Sequence, residues 1–246
     1  MSEPLKVLYL LWDGPEGREA TRDLLLGRIG PALLALEPQR LVVYVEDPES
    51  DLPSPNPFTG GLPLPFAEVD LWLDDIGDRA RFEQVLAAGG VRFHAWQVEE
   101  SVYTDYGGNR HARARDWPDG HRSPGVVMLT LLTRPGGMAR DEWVRRWHGR
   151  ISPVSEGIQP RTRYVRNLVV APLTEDAPPW EGMVAECWPS ARHIRNPFLF
   201  YGAGRNPLKV VWNMGRIVAA VAHFTSIRKV RSIMTGEYFL KTDGGR

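Results

Sequence analysis

The strongest constraint on the fold of this chain is an internal repeat. Residues 127–153, VMLTLLTRPGGMARDEWVRRWHGRISP, contain an apolar run, a Pro-Gly turn, an amphipathic segment and a Trp-His pair. The matching segments are 7–17 with 127–137 at an offset of 120 residues, 27–31 with 149–153 at an offset of 122, and 70–72 with 186–188 at an offset of 116. Two diverged copies of one unit are therefore predicted, since 246 residues suffice for two copies of about 110–120 residues.

Each copy has the pattern β-α-β-β-α-β, which is the order of elements in a ferredoxin-like domain. In the first copy, strands are predicted at 6–12, 41–46, 68–74 and 91–103, and helices at 18–26 and 78–88. In the second copy, strands are predicted at 126–134, 163–172, 182–188 and 230–241, and helices at 140–150 and 208–223. The predicted domains are a degenerate first repeat at 1–107, a linker at 108–125, and a second repeat at 126–246 with an insertion at 189–207.

The hydrophobic pattern also predicts which faces are buried. Residues 127–132 are mostly apolar at successive positions, which indicates a strand covered on both faces. Residues 68–74 alternate polar and apolar side chains, which is typical of a half-buried strand. The predicted helix at 208–223 carries one apolar stripe, which we expect to face the core. Its members are Leu208, Val211, Trp212, Gly215, Val218 and Ala222.

Glycine and proline mark the expected breaks. Gly27, Gly30 and Pro31 should weaken the first helix. Residues 47–65 contain six prolines and should form an irregular surface loop, either a plain connection or a lid. The aromatic residues Phe198, Phe200 and Tyr201 in the insertion should either roof a cavity or cap the core.

The composition argues against several classes of function. The formal net charge of +0 gives no reason to expect nucleic acid or an anionic membrane as a partner. Cys187 is the only cysteine, no signal segment begins at Met1, and no apolar run reaches about 18 residues, so a cytoplasmic location is expected. The six histidines lack metal-ligand spacing, and no phosphate-binding glycine motif occurs, so neither a metal nor a nucleotide cofactor is expected.

Residues 126–241 resemble the EthD family of the dimeric α+β barrel superfamily. The motif residues around the helix are Pro135, Gly136, Trp143, Trp147, His148 and Pro153, and those on the later strands are Glu186, Trp188, Glu237, Tyr238, Phe239 and Leu240. In the first repeat Leu26 stands in the place of His148, so one copy of the site is expected to be lost.

The resemblance implies an α+β barrel in which two ferredoxin-like antiparallel sheets pack face to face, usually from two chains. A tandem chain would build the barrel internally, and both-face burial of residues 127–132 agrees with such packing. The superfamily's association through sheets, together with aromatics such as Phe198 and Tyr201, also predicts a homodimer.

The candidate catalytic residues are His148, Glu186 and Tyr238. An imidazole at a helix C-terminus is suited to proton transfer, and its place in the motif would aim it at the barrel interior. The alternative for His148 is a buried, hydrogen-bonded histidine that stabilises the end of the helix. Glu186 and its repeat partner Asp70 need a partner if buried. They could pair with His148, Arg134 or Arg163 and orient an imidazole for proton transfer, or they could form purely structural ion pairs across the sheet. Tyr238 would hold a developing enolate oxygen. The candidate substrate-binding residues are Trp143, Trp147, Thr130, Tyr164, Arg163 and Trp188.

Two classes of function follow from the resemblance and these residues. The first is a cofactor-independent enzyme, of the cyclase or dehydratase, isomerase or monooxygenase type, acting on a small hydrophobic carbonyl or aromatic compound. The second is a non-catalytic protein that binds such a ligand or serves association. A haem barrel is a third alternative, because one axial His leaves no spacing signature, but residues 116–120, DWPDG, match the peroxidase motif Gly-x-x-Asp-Gly poorly.

Overall fold

The computed structural model describes residues 3–56 and 63–242, and its centre is a closed antiparallel barrel of eight strands. The strands are β1 (Leu5–Trp12), β2 (Arg40–Val45), β3 (Ala67–Leu73), β4 (Arg92–Thr104), β5 (Val126–Leu132), β6 (Arg163–Pro172), β7 (Gly182–Trp188) and β8 (Arg231–Lys241). They pair in the ring order β1-β3-β2-β8-β5-β7-β6-β4. Because the ring is closed, it has no unpaired sheet edge.

Helices pack on the outside of this barrel. They are α1 (Arg18–Leu24), α2 (Gly30–Leu34), α3 (Arg79–Ala88), α4 (Arg140–Arg146), α5 (Ser152–Glu156), α6 (Ala191–Arg195), α7 (Pro197–Phe200) and α8 (Pro207–Ala222). The predicted α+β class, its antiparallel sheet and the barrel are thus confirmed. No helix among the described residues is both long enough and apolar enough to span a bilayer.

A π-helical turn continues the helix in each half where a break was expected. Residues Leu25–Ile29 join α1 to α2, and Trp147–Ile151 join α4 to α5. In each case a proline stands two residues after the end of the turn, Pro31 or Pro153. Proline lacks an N–H and its ring crowds the carbonyl four residues earlier, so a wider turn accommodates it without ending the helix. The predicted ends at residues 26 and 150 are therefore too early.

The sequence match between β1 and β5, at an offset of 120 residues, is displaced by one residue from their structural match. In β1, Val7 and Tyr9 pack outward against the first-half helices. In β5, Val127 and Leu129 pack inward with Tyr44 of β2. Residues matched at an offset of 120 thus lie on opposite faces of the sheet, and the exact alignment of these strands was wrong.

Charged side chains occupy part of the barrel interior. All of β3 is buried, with Glu68 and Asp70 each 1% exposed, so the predicted wet face does not exist. Lys6 Nζ lies 2.6 Å from both Asp70 Oδ2 and Glu100 Oε2. Burial, reinforced by the nearby Asp70 carboxylate, raises the pKa of Glu68 well above its ordinary value. Alternation along β3 reflects two buried faces of different polarity.

Arg163 is the centre of a second interior cluster. Its guanidinium donates to Glu237 Oε1 at 2.8 Å, to the Tyr44 hydroxyl at 3.1 Å and to Asp105 Oδ1 at 3.0 Å. These partners come from β2, β8 and the segment after β4. Arg163 therefore does not pair with Glu186 as expected, because it projects from the inner face of β6 and Glu186 from the outer face of β7.

The loop at 47–65 begins as a buried structure rather than on the surface. Asp47 is fully buried, caps the short 3₁₀ turn Pro48–Ser50, and accepts hydrogen bonds from Arg122 and Tyr238. Arg122 belongs to the predicted linker, so this segment is fastened to β8. Residues 57–62, which include the middle of the possible lid, lie outside the described residues.

The predicted core stripe of α8 faces solvent. Leu208 is 79% exposed, Val211 62% and Trp212 69%. The opposite side of the helix, with Asn213, Ala220 and Val221, packs on the protein. The expectation was wrong because an apolar stripe shows that a helix has two faces and not which of them is covered.

Gly182 in β7 lies where α4 and its π-helical turn pack closely on the sheet, so a larger side chain there tests this packing. A Cβ at this position would lie 2.7 Å from Trp147 Cζ3 and 2.9 Å from Trp143 Cη2. We expect Gly182→Ala to lower the free energy of unfolding by about 1–3 kcal/mol in urea denaturation. Gly149→Ala is the control, because a Cβ there meets nothing within 4 Å, and it should be neutral or slightly stabilising. Equal stability of the two variants would contradict the described packing.

Candidate functional site

A cavity of about 210 Å³ lies between the outer face of the second-half strands and the helices that cover them. Its wall is mostly apolar and includes residues from the π-helical turn and from α8. The strand residues that line it are Met128, Thr130, Leu132, Tyr164, Val184, Glu186 and Ser232. The other lining residues are Pro55, Asn56, Trp147, Ile151, Ser155, Gln159, Phe200, Ile217, Val221, Phe224, Thr225 and Val230. A few polar groups in an apolar pocket are typical of a small-molecule site.

Glu186 is the only carboxylate among the residues that the structure describes in this lining. Its Oε1 accepts a hydrogen bond from Arg161 Nη1 at 2.5 Å, while Oε2 has no hydrogen-bond partner among the described residues. Burial raises the pKa of Glu186 above its ordinary value, and the Arg161 guanidinium offsets part of this rise. A carboxylate with one free oxygen and a raised pKa is suited to accept or return a proton.

Arg161 supports this carboxylate from a fully buried position. Its Nη2 donates to Ser155 Oγ at 2.9 Å and to Glu156 Oε2 at 3.1 Å. The guanidinium also lies 3.9 Å from the centre of the Tyr164 ring. The cation is thus held in place on three sides, which keeps it directed at Glu186.

Hydroxyl groups form the remaining polar part of the wall. Tyr164 Oη lies 3.3 Å from Ser152 Oγ and accepts a hydrogen bond from Trp147 Nε1 at 3.4 Å. Thr130 Oγ1 lies 3.2 Å from Ser232 Oγ on the neighbouring strand. These groups offer weakly held donors to a ligand oxygen.

The structure brings four of the nine candidate site residues to this cavity, namely Glu186, Trp147, Thr130 and Tyr164. Trp143 and Trp188 lie behind the lining: Trp143 packs on Trp147 with ring centres 5.1 Å apart, and Trp188 stacks on Phe200 at 4.5 Å. Arg163 lies inside the barrel. The expected partner of Glu186 was also wrong, because Arg134 binds Glu181.

His148 lies on the helix side of the sheet and not in the barrel interior. It is half-buried, contacts the Trp147 ring edge-on at 5.1 Å, and does not line the cavity. Burial, assisted by the nearby Arg166 guanidinium, lowers the pKa of His148 to about 4. The charged form that a helix C-terminus would favour is therefore not the form present at neutral pH.

Tyr238 is also remote from the cavity. Its side chain packs with the first-half core, and its hydroxyl donates to Asp47 Oδ2 at 3.0 Å. Burial and the Asp47 carboxylate raise the pKa of Tyr238 above its ordinary value. His148, Glu186 and Tyr238 thus occupy three different environments.

Sequence reasoning missed Arg161, Ser155 and Gln159. All three follow the Pro153 motif in a stretch with no regular period, so no pattern distinguishes them from loop residues. It also missed the contribution of α8, since Ile217 and Val221 belong to the face opposite the obvious stripe.

The described lining offers no ligand set for a metal or haem. No histidine lines the cavity, so its wall does not supply the single axial imidazole that the haem alternative requires. Across residues 3–56 and 63–242, no group of three or more His, Cys, Asp or Glu side chains could hold a metal ion. A second cavity of about 440 Å³, lined by residues including Trp12, His94 and Trp180, has no carboxylate in its described wall.

Solved structures share this architecture. An anthrone oxidase-like protein superposes with a TM-score of 0.58 at 11% identity, over 99% of this chain and 96% of that one. A candidate monooxygenase from Fusobacterium nucleatum superposes with a TM-score of 0.54 at 6% identity, over 100% of this chain and 98% of that one. This chain shares the α+β barrel fold of these two proteins. No protein-family model and no curated protein matches the sequence, so the EthD family within this α+β barrel group stays a prediction.

The lowered pKa of His148 should make this α+β barrel sensitive to acid. Between about pH 6.5 and pH 4 the unfolded chain binds a proton at this imidazole that the folded chain does not, so stability is lost as the pH falls. We expect His148→Leu to reduce the loss of unfolding free energy between about pH 7 and pH 5 by about 1 kcal/mol, after allowance for partial exposure.

Urea denaturation at the two pH values measures this effect. His121→Leu is the control, because His121 is exposed and its replacement should leave the pH dependence unchanged. An unchanged pH dependence in the His148 variant would show that the imidazole is solvated in the folded protein.

Proposed function

We propose that the chain is an EthD-like tandem barrel enzyme, which binds a small hydrophobic carbonyl or aromatic compound in the α8-lined cavity and transfers a proton without a cofactor. The tandem organisation is supported by the ring order, which starting from β4 is β4-β1-β3-β2 and then β8-β5-β7-β6. The same relative order occurs twice, as two ferredoxin-like repeats at 1–107 and 126–246 would produce.

The observation that carries the proposal is the free Oε2 of Glu186 in an apolar cavity. An isolated buried carboxylate is costly, and the fully buried Arg161 keeps this one in place. Proton abstraction from carbon next to a carbonyl needs a base of raised pKa, a dry pocket and a donor near the substrate oxygen. The cavity supplies a base of raised pKa in Glu186, a mostly apolar wall, and the hydroxyl groups of Tyr164 and Thr130 as donors.

In this mechanism Glu186 Oε2 takes a proton from the substrate carbon, and the electron pair moves into the carbonyl to give an enolate. The hydroxyl of Tyr164 or Thr130 donates to the enolate oxygen, and Trp147 and Phe224 hold the rest of the ligand by apolar contact. Return of the proton at another carbon would give an isomerase. Electron transfer from the carbanion to dioxygen from solution and recombination would give a hydroperoxide at that carbon. Loss of water from the hydroperoxide would leave a new carbonyl group, with one oxygen atom in the product and one in water, as in a monooxygenase reaction.

The assignment moves the base from His148 to Glu186. Glu186 lines the cavity and His148 does not, and the imidazole lies behind Trp147. We therefore expect His148 to affect stability and Glu186 to affect turnover. Tyr238 is likewise assigned a structural role, because its hydroxyl is bound to Asp47.

A non-catalytic binding protein is the second candidate. It is favoured by the hydrogen bond between Glu186 and Arg161, since an ion pair of this kind also serves to close the polar end of a ligand pocket. The expected homodimer and cytoplasmic location remain predictions. Phe198 and Tyr201, on which the homodimer expectation partly rested, are half-buried against their own chain.

The first experiment is native mass spectrometry of freshly purified protein beside a denatured sample. A retained mass of a few hundred daltons, released on denaturation, would name the ligand class, and the intact mass would give the subunit number. The class so identified, or a panel of anthrone-like aromatic carbonyl compounds in air without added cofactor, then serves as substrate.

We expect Glu186→Gln to lower kcat by about 10²–10⁴-fold while ligand affinity changes little, because the amide keeps the shape and loses the base. His148→Leu should retain turnover, and Glu99→Gln, an exposed carboxylate on β4, is the matched control. Full activity of the Glu186 variant with loss of activity in the His148 variant would reverse the assignment. Ligand binding without turnover in the wild type would favour the second candidate.

A further inference from the structure

The outward side of α8 is an exposed apolar surface, formed by Leu208, Val211, Trp212, Met214 and Val218 and here called the α8 outer face. All five side chains are at least 40% exposed, and Leu208 reaches 79%. Gly215, Ala219 and Ala222 are exposed as well. A contiguous patch of this kind is unfavourable in water and marks a surface that another phase or molecule covers.

The stretch of chain that contains this face carries charges of one sign only. Residues 187–236 contain no Asp or Glu and eight Lys or Arg residues. Because the whole chain has a formal net charge of +0, the rest of the molecule carries an excess of eight acidic groups. The eight cations are Arg192, Arg195, Arg205, Lys209, Arg216, Arg228, Lys229 and Arg231, and seven of them are exposed.

None of these eight cations forms an ion pair with a carboxylate within residues 3–56 and 63–242. Elsewhere ion pairs of arginine are frequent, as with Arg122 and Asp47 or Arg134 and Glu181. The region therefore presents positive charge that the described chain does not neutralise.

The helix arranges both features for contact with a flat anionic surface. Lys209 and Arg216 are seven residues apart, so they lie on one side of the helix at the edge of the apolar face. Arg205 precedes the helix, and Arg228 and Lys229 follow it. A helix with large apolar residues on its exposed side and flanking cations is typical of one that lies in a membrane interface.

We propose that α8 docks through this face onto the surface of a bilayer that contains anionic lipid. The helix would lie parallel to the bilayer plane, with Trp212 and its apolar neighbours among the headgroups and acyl chains and the cations against lipid phosphate. The inner side of the same helix supplies Ile217 and Val221 to the cavity. Docking therefore places one wall of the cavity against the phase in which hydrophobic compounds dissolve.

A second copy of the chain fits this face less well. A two-fold contact through α8 would bring its unneutralised cations toward those of the partner, where no acidic side chain of residues 187–236 compensates them. The formal net charge of zero predicted no membrane partner. That prediction no longer holds, because the zero is the sum of two regions of opposite charge.

The test is flotation of the purified full-length chain with vesicles. We expect binding to phosphatidylcholine vesicles with about 30% phosphatidylglycerol and little binding to phosphatidylcholine alone. Binding should weaken as salt rises from about 50 mM to about 500 mM, because the charge contribution is screened. Failure to float with the anionic vesicles at low salt would overturn the proposal.

Two variants separate the apolar and charged contributions. Leu208→Ser with Trp212→Ser should lower the partition coefficient at least about tenfold. Lys209→Gln with Arg216→Gln should lower it about fivefold for each cation removed. The control is Val170→Ser, a change at a 51% exposed residue of β6 that lies outside the face, and it should bind as the wild type does. Equal binding by all variants would overturn the proposal.

Light scattering on the same samples tests whether a second copy of the chain covers the α8 outer face instead of a bilayer. A wild-type dimer that becomes a monomer in the Leu208 and Trp212 variant would assign the face to a second copy and overturn the proposal. Retention on polyglutamate without flotation would assign it to an acidic protein. The vesicle assay needs no substrate, so its outcome is independent of the proposed proton transfer.

Discussion

Closure of the eight-stranded ring is the constraint on which the rest of this structure depends. The ring closes at two seams, β2 with β8 and β4 with β6, which join strands far apart in sequence. Buried charged groups link the two halves near these seams: Lys6 of β1 reaches Asn167 of β6, and Arg163 of β6 reaches Tyr44 of β2. Removing one member of such a set leaves the others unpaired, at a cost of several kcal/mol.

Because side chains fill the barrel interior, the cavity for a ligand lies between the outer face of the sheet and the helices. In the first half, the space between sheet and helices is filled by residues such as Leu25, Ile29, Phe82 and Leu86. In the second half, the equivalent space is partly open and is covered by the π-helical turn and α8. The expectation that only one half keeps a site rested on Leu26 and His148 and stays a prediction, since His148 does not line this cavity.

Strand positions and helix positions could be predicted from the sequence, because apolar period and turn residues act locally. The barrel was predicted from the family resemblance. The period does not show which face of a strand or helix is covered by the rest of the chain. Residues 68–74 alternate because one face is apolar and the other holds buried charge, and the stripe on α8 is apolar although it faces solvent. Both depend on which side of the element the rest of the chain occupies. The match at an offset of 120 failed by one residue for the same reason, since a shift of one reverses every side chain in a strand.

A residue of the candidate site could be predicted only where an unusual residue type stood at a regular position of a strand or helix. Glu186 was found because a carboxylate among apolar strand residues is costly and therefore conspicuous. Arg161, which neutralises it, lies in an irregular segment whose position is set by tertiary packing. Replacing a buried ion pair by apolar side chains is often neutral or stabilising, so stability alone does not require Glu186 and Arg161 in this wall. A free carboxylate oxygen that opens into a mostly apolar cavity is better explained by what the cavity binds than by what holds the barrel together.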